Sequence, residues 1–167
     1  RVGWAVTPPV VPSFTIDRLL DELSPRAAGG ETRGGVRNLF GVAPAVGALA
    51  KSIPVLSVAE RVRGPHCFAV RAILFDKPPA TNWKVIWHQD LTIAVRARGV
   101  AAGFGPWSEK AGVPHVQPPP EVLERMLAVR VHLDDCGPDN GPVRVIPGSH
   151  RVGRLTGEGS DAFRAAC

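Results

Sequence analysis

His88 and Asp90 put an imidazole and a carboxylate two residues apart in Trp83-Lys84-Val85-Ile86-Trp87-His88-Gln89-Asp90, whose apolar and aromatic residues suit a β-strand. Alternate residues of a strand project from the same face, so the two side chains can point together into one cavity. A neutral imidazole beside a carboxylate supplies two legs of the two-His-one-carboxylate set that holds non-haem Fe(II) with coordination positions left open for oxygen chemistry. The same pair on a surface strand is an ordinary solvated histidine and aspartate, and the rest of the chain must separate the two readings.

The chain has 167 residues, enough for one domain with an enclosed core. No apolar run approaches the roughly 20 residues that span a bilayer, so a soluble protein without membrane association is expected. Net charge is +5, but the 20 Lys and Arg are scattered without a basic block, which argues against a nucleic-acid partner and suits a small anionic molecule equally well. The 3 cysteines, Cys67, Cys136 and Cys167, form no C-x-x-C pair, so neither a disulfide framework nor a zinc knuckle is indicated. A reducing compartment, the cytoplasm by default, is expected because nothing marks export. The start at Arg1 and the stop at Cys167 suggest a piece of a longer protein.

Residues 1–12 read as a short strand closed by Pro8, Pro9 and Pro12. Ser13 or Thr15 can cap a helix whose Ile16, Leu19, Leu20 and Leu23 make one apolar stripe. A glycine-rich loop over 24–35 follows, then helices near 45–51 and 55–63, each behind a proline suited to a first helical turn. From Cys67 the sequence turns β-branched and aromatic. Strands are expected at 67–75, 83–88, 91–96, 126–133 and 142–147, with Asp139-Asn140-Gly141 as a hairpin turn and a long loop, 97–120, acting as a lid. Helices followed by consecutive strands imply an α+β, mainly β arrangement around a barrel or sandwich.

Joined to Asp139-Asn140-Gly141-Pro142-Val143-Arg144-Val145-Ile146-Pro147-Gly148-Ser149-His150-Arg151, the His88-Gln89-Asp90 motif resembles the phytanoyl-CoA dioxygenase family of Fe(II)- and 2-oxoglutarate-dependent oxygenases. The similarity runs from about Trp4 to Leu155 and includes Phe75-Asp76-Lys77 and Asn82-Trp83. It implies a double-stranded β-helix, a cupin-like jelly roll, in a single domain over 1–167: a buttressing helical region at 1–65 and jelly-roll strands at 66–155. It implies His88 and Asp90 as iron ligands and Lys77 as a contact of the 2-oxoglutarate co-substrate, where an ammonium serves a carboxylate without bidentate geometry. Gln89 beside the ligands helps orient the site, and Arg130 aligns with a position facing the co-substrate, although the residue type differs there. The second histidine ligand and the arginine that anchors the co-substrate in the family are not found before Cys167.

Other residues carry two readings. His150 has a spacing that suits a third ligand, but Pro-Gly-Ser-His reads as a turn; His132 reads as a satisfied histidine on the face of Arg130, and His66 as a surface residue. Trp107 and His115 can close over substrate or merely pin the long loop, while Trp83 and Trp87 read as core or barrel-wall aromatics. Asp134 and Asp135 read as solvated turn carboxylates. The implied activity is hydroxylation of a small organic substrate. The alternatives are a non-catalytic fragment or degenerate relative, and a cupin-like metal protein in which His150 or His132 completes the ligand set without 2-oxoglutarate.

Overall fold

The computed structural model describes residues 2–28, 35–77, 85–155, 159 and 162–163. Five helices lie among them: α1 (Ser13–Ala28), α2 (Leu39–Val42), α3 (Pro44–Ala50), α4 (Ile53–Arg63) and α5 (Pro120–Leu123). A three-stranded antiparallel sheet, β1 (Ile93–Ala94), β2 (Trp107–Lys110) and β3 (Val113–Val116), has the order β1-β3-β2. The combination is α+β.

The expected apolar stripe makes α1. Its first turn is closed by the Pro12 carbonyl, which accepts from the amides of Thr15 and Ile16 at 3.0 and 3.2 Å, instead of by a Ser13 or Thr15 side chain. The helix also continues through Pro25, where a loop is expected, and the Ser24 hydroxyl donates back to the Leu20 carbonyl at 2.6 Å. Pro44 and Pro54 occupy the first turns of α3 and α4, where a missing N–H leaves no helical bond unmade. Glu22 of α1 meets the start of α3, accepting from the Ala45 amide at 3.2 Å and so placing a carboxylate at the positive end of that helix.

Leu19, Leu23, Leu39, Ala43 and Val46 form the buried core, with Ala72, Leu74 and Leu133 packed onto it. One bridge ties this helical layer to the segment after it: Val36 and Leu74 exchange both backbone bonds at 2.9 Å. The close approach requires glycine next door. Gly35 sits at φ +99°, and a Cβ there would collide with the Leu74 carbonyl oxygen.

Among the described residues the expected strands within 1–12, 67–75, 83–88, 126–133 and 142–147 form no ladder beyond the Val36–Leu74 bridge, and 91–96 is reduced to β1. β-rich composition records compatibility with a pleated surface, but a ladder needs a partner for every second N–H and C=O. The exposure of Phe68, Ile86 and Val143 shows that these segments present apolar side chains without a covering layer among the described residues. In the prolines of 8, 9 and 12, the first segment lacks donors as well.

The long loop is the converse case. Residues 107–116 form a two-residue hairpin in which Lys110 pairs with Val113, with Ala111 and Gly112 at φ 51° and 72° as type I′ geometry demands. Ala-Gly is a weaker hairpin signal than Asn-Gly, which explains why 97–120 reads as structureless in sequence.

Candidate functional site

His88 and Asp90 do converge. His88 Nε2 lies 3.8 Å from Asp90 Oδ1. The other ring nitrogen, Nδ1, is 2.8 Å from the Ile86 carbonyl oxygen, which can only accept, so Nδ1 carries a hydrogen and Nε2 is the nitrogen turned to the carboxylate. An imidazole nitrogen and a carboxylate oxygen that face each other can share a cation, a proton or a metal ion. The donor chemistry fits a non-haem metal, and a bond from the other ring nitrogen to a backbone carbonyl is what orients ligating histidines. Neighbouring donors on a six-coordinate ion stand about 3 Å apart for bonds of about 2.1 Å, so the pair would have to close by about 1 Å.

The setting departs from the enclosed cavity expected of a barrel mouth. The two side chains are 54% and 76% exposed, because the segments flanking them form no closed barrel among the described residues. The cupin-like ligand set is not assembled either: no three His, Cys, Asp or Glu among the described residues are grouped to hold a metal. His132 is exposed, and His150 stands in the 3-10 turn Ser149–Arg151 with its ring against the backbone of Gly3. The turn reading of His150 accounts for its position.

Gln89 is committed to backbone. Its Nε2 donates to the Gly153 carbonyl at 2.7 Å, and its Oε1 accepts from the Leu155 amide at 2.8 Å. An amide side chain that mimics a peptide in this way splices the His88–Asp90 segment to 153–155, and each polar end keeps one further hydrogen-bonding position. Arg154, between the two bonded residues, reaches the side-chain oxygen of buried Gln117 once that amide is oriented by the contact. The His88–Asp90 segment, the 153–155 segment and the end of β3 are thus tied together.

Lys77 is half-buried, its Nζ close to Gly141 of the Asp139-Asn140-Gly141 turn. That turn is organised locally: the Asn140 side chain donates to the Asp135 carbonyl at 2.7 Å, and its amide donates to Gly137 at 3.1 Å. Arg130, Asp134, Asp135 and His66 are exposed. Trp87 is half-buried beneath the Arg144 guanidinium, 5.9 Å from its ring centroid. Asn82 and Trp83 lie outside the described residues.

Trp107 and His115 stand on the hairpin, not on a free lid. Trp107 opens β2 opposite Val116, and His115 is buried at the centre of the sheet between Ser108 and Ala94. Strand parity puts Ala94, Ser108, Lys110, Val113 and His115 on one face, and Thr92 and Asp90 continue the same parity upstream. Lys110 accordingly donates to the Thr92 hydroxyl at 3.2 Å. Its pKa is lowered from the usual lysine value by burial first, then by the Arg37 and Arg71 guanidinium groups, with Asp90 opposing. Sequence reasoning missed Arg37, Arg71 and Lys110. The available signal was a lone cation inside an apolar β-rich run, as Arg71 is within Phe68–Phe75.

The phytanoyl-CoA dioxygenase (PhyH) family model matches residues 2–162. An ectoine dioxygenase of Sphingopyxis alaskensis is 28% identical over 120 residues, covering 70% of this chain and 32% of the relative. The chain therefore spans about a third of the length of that curated relative. No solved structure matches. No described helix is long and apolar enough to cross a membrane.

Proposed function

The chain belongs to the phytanoyl-CoA dioxygenase family, and from that premise we propose that it serves an Fe(II)- and 2-oxoglutarate-dependent dioxygenase that hydroxylates a small organic substrate. The observation that carries the reading is the His88–Asp90 pair, with Nδ1 occupied by the Ile86 carbonyl and Nε2 turned to the carboxylate. His88 and Asp90 would hold the iron, Gln89 would keep their segment in place, and the Lys77 ammonium would offer charge to a co-substrate carboxylate. When bound, iron and co-substrate supply the oxidising chemistry: 2-oxoglutarate and O2 are consumed, succinate and CO2 leave, and a substrate C–H becomes C–OH. The half-buried Trp107 offers a flat apolar wall to substrate. The jelly roll, the single domain over 1–167 with its division near residue 65, the cytoplasmic setting and the lack of nucleic-acid or membrane partners belong to the same proposal.

Succinate release from 2-oxoglutarate in the presence of Fe(II) and O2 tests it. The chain should produce succinate above an iron-free control, and His88→Ala should abolish the excess. The exposure of the His88–Asp90 pair favours a second reading, a relative that does no chemistry. In that case neither iron nor the substitution changes succinate.

A further inference from the structure

On the face of the sheet that carries His115, a cavity of about 40 Å³ is lined by Arg37, Arg71, Lys110 and His115 together with Val113 and Ala94. The backbone explains the gathering. The Val36–Leu74 bridge lays 36–39 beside 71–74, and the hairpin parity turns Lys110 and His115 towards them. Three cationic side chains thus share one small space, and none forms an ion pair with an acid among the described residues. The pKa of Lys110 is lowered by burial first and then by the Arg37 and Arg71 guanidinium groups, with Asp90 the acid that opposes the shift. His115 adds an unmet polar atom. It is 4% exposed, its Nδ1 faces the Val113 carbonyl at 2.9 Å, and its buried Nε2 has no hydrogen-bond partner among the described residues.

We propose that this cavity is a binding site for a single carboxylate or phosphate group of a small molecule other than 2-oxoglutarate, held by Arg37, Arg71 and Lys110. A water needs about 10–15 Å³ of comparable space, so about three atoms of that size fit: a whole carboxylate, or the leading oxygens of a phosphate. Guanidinium groups bind oxyanions through paired N–H donors, and the ammonium adds a third charge. The group aligned with the co-substrate, Lys77, sits by Gly141 in another part of the chain, which leaves this cavity for a different anion. The site does not depend on the oxygenase reading, since a chain that bound no iron would still bind the anion.

Thermal unfolding and calorimetry with sodium phosphate and sodium acetate, each against sodium chloride at equal ionic strength, test the site. Phosphate, acetate or both should raise the melting temperature and bind. Whichever binds more tightly identifies the group. Lys110→Met and Arg71→Gln should each weaken binding at least about tenfold, the loss of a charge-assisted hydrogen bond. Lys110→Met removes like-charge repulsion and so should fold, which keeps the result readable if Arg71→Gln does not. Equal melting in all three salts, or unchanged affinity in the Lys110→Met protein, would each overturn the assignment.

Discussion

Replacing Gln89 with Met should damage iron binding without touching either ligand. The methionine matches the glutamine in length but deletes the bonds to Gly153 and Leu155, 2.7 and 2.8 Å long. A hydrogen bond contributes about 0.5–1.5 kcal/mol net, and the partly exposed setting places the pair near the low end, about 1–2 kcal/mol together. For a chain of this size that lowers the melting temperature by about 2–8 °C. The larger effect falls on the metal. Groups that orient ligands without touching the ion are worth about 10–100-fold in metal affinity, and the same decrease is expected here because His88 and Asp90 flank Gln89 on a segment that has no strand partner among the described residues. Gln89→Glu should fall between, since a carboxylate can accept from Leu155 but cannot donate to the Gly153 carbonyl. Melting curves and anaerobic calorimetry with Fe(II) measure both quantities. A Gln89→Met protein that melts and binds iron like the wild type would show that the clamp positions nothing.

Gly35→Ala should destabilise by about 1–3 kcal/mol through its positive φ, with further loss from the collision with the Leu74 carbonyl; urea unfolding gives the value, and no change in midpoint would mean that the bridge tolerates a side chain. Ala111→Asn should stabilise by up to about 1 kcal/mol, because asparagine tolerates the left-handed conformation that alanine holds at φ 51°, and a lower melting temperature would contradict the turn assignment. Lys110 has a folded pKa below its unfolded value, so its charge opposes folding at neutral pH. The unfolded state binds more protons as pH rises through the folded value towards the ordinary lysine value, so stability contributed by this group rises across that window. Urea midpoints of the wild type should therefore gain on those of Lys110→Met as pH increases there, and parallel profiles would count against the crowded cations.

The helical half was legible because its signals are local. The stripe Ile16, Leu19, Leu20, Leu23 and the prolines at 44 and 54 act within one or two turns, and α1, α3 and α4 formed where they pointed. The sheet was not, because strand partners come from distant segments. Residues 67–75 have the composition of a strand yet contribute one bridge, whereas Ala111-Gly112 lacked a strong turn signature and closed a hairpin. At the site, His88 and Asp90 lie 3.8 Å apart, but off any strand among the described residues and 54% and 76% exposed, where the spacing led us to expect a strand face inside a cavity. The basic cavity was invisible for the same reason as the sheet: Arg37, Arg71 and Lys110 meet only through the Val36–Leu74 bridge and the hairpin.

An anaerobic calorimetric titration of Fe(II) into the wild-type chain, His88→Ala and Asp90→Asn addresses the proposed iron-binding role of the His88–Asp90 pair. Saturable one-to-one binding by the wild type, abolished in His88→Ala and weakened at least about tenfold in Asp90→Asn, is the expected result. Wild-type heats no different from those of His88→Ala would mean that the imidazole and carboxylate share no metal ion.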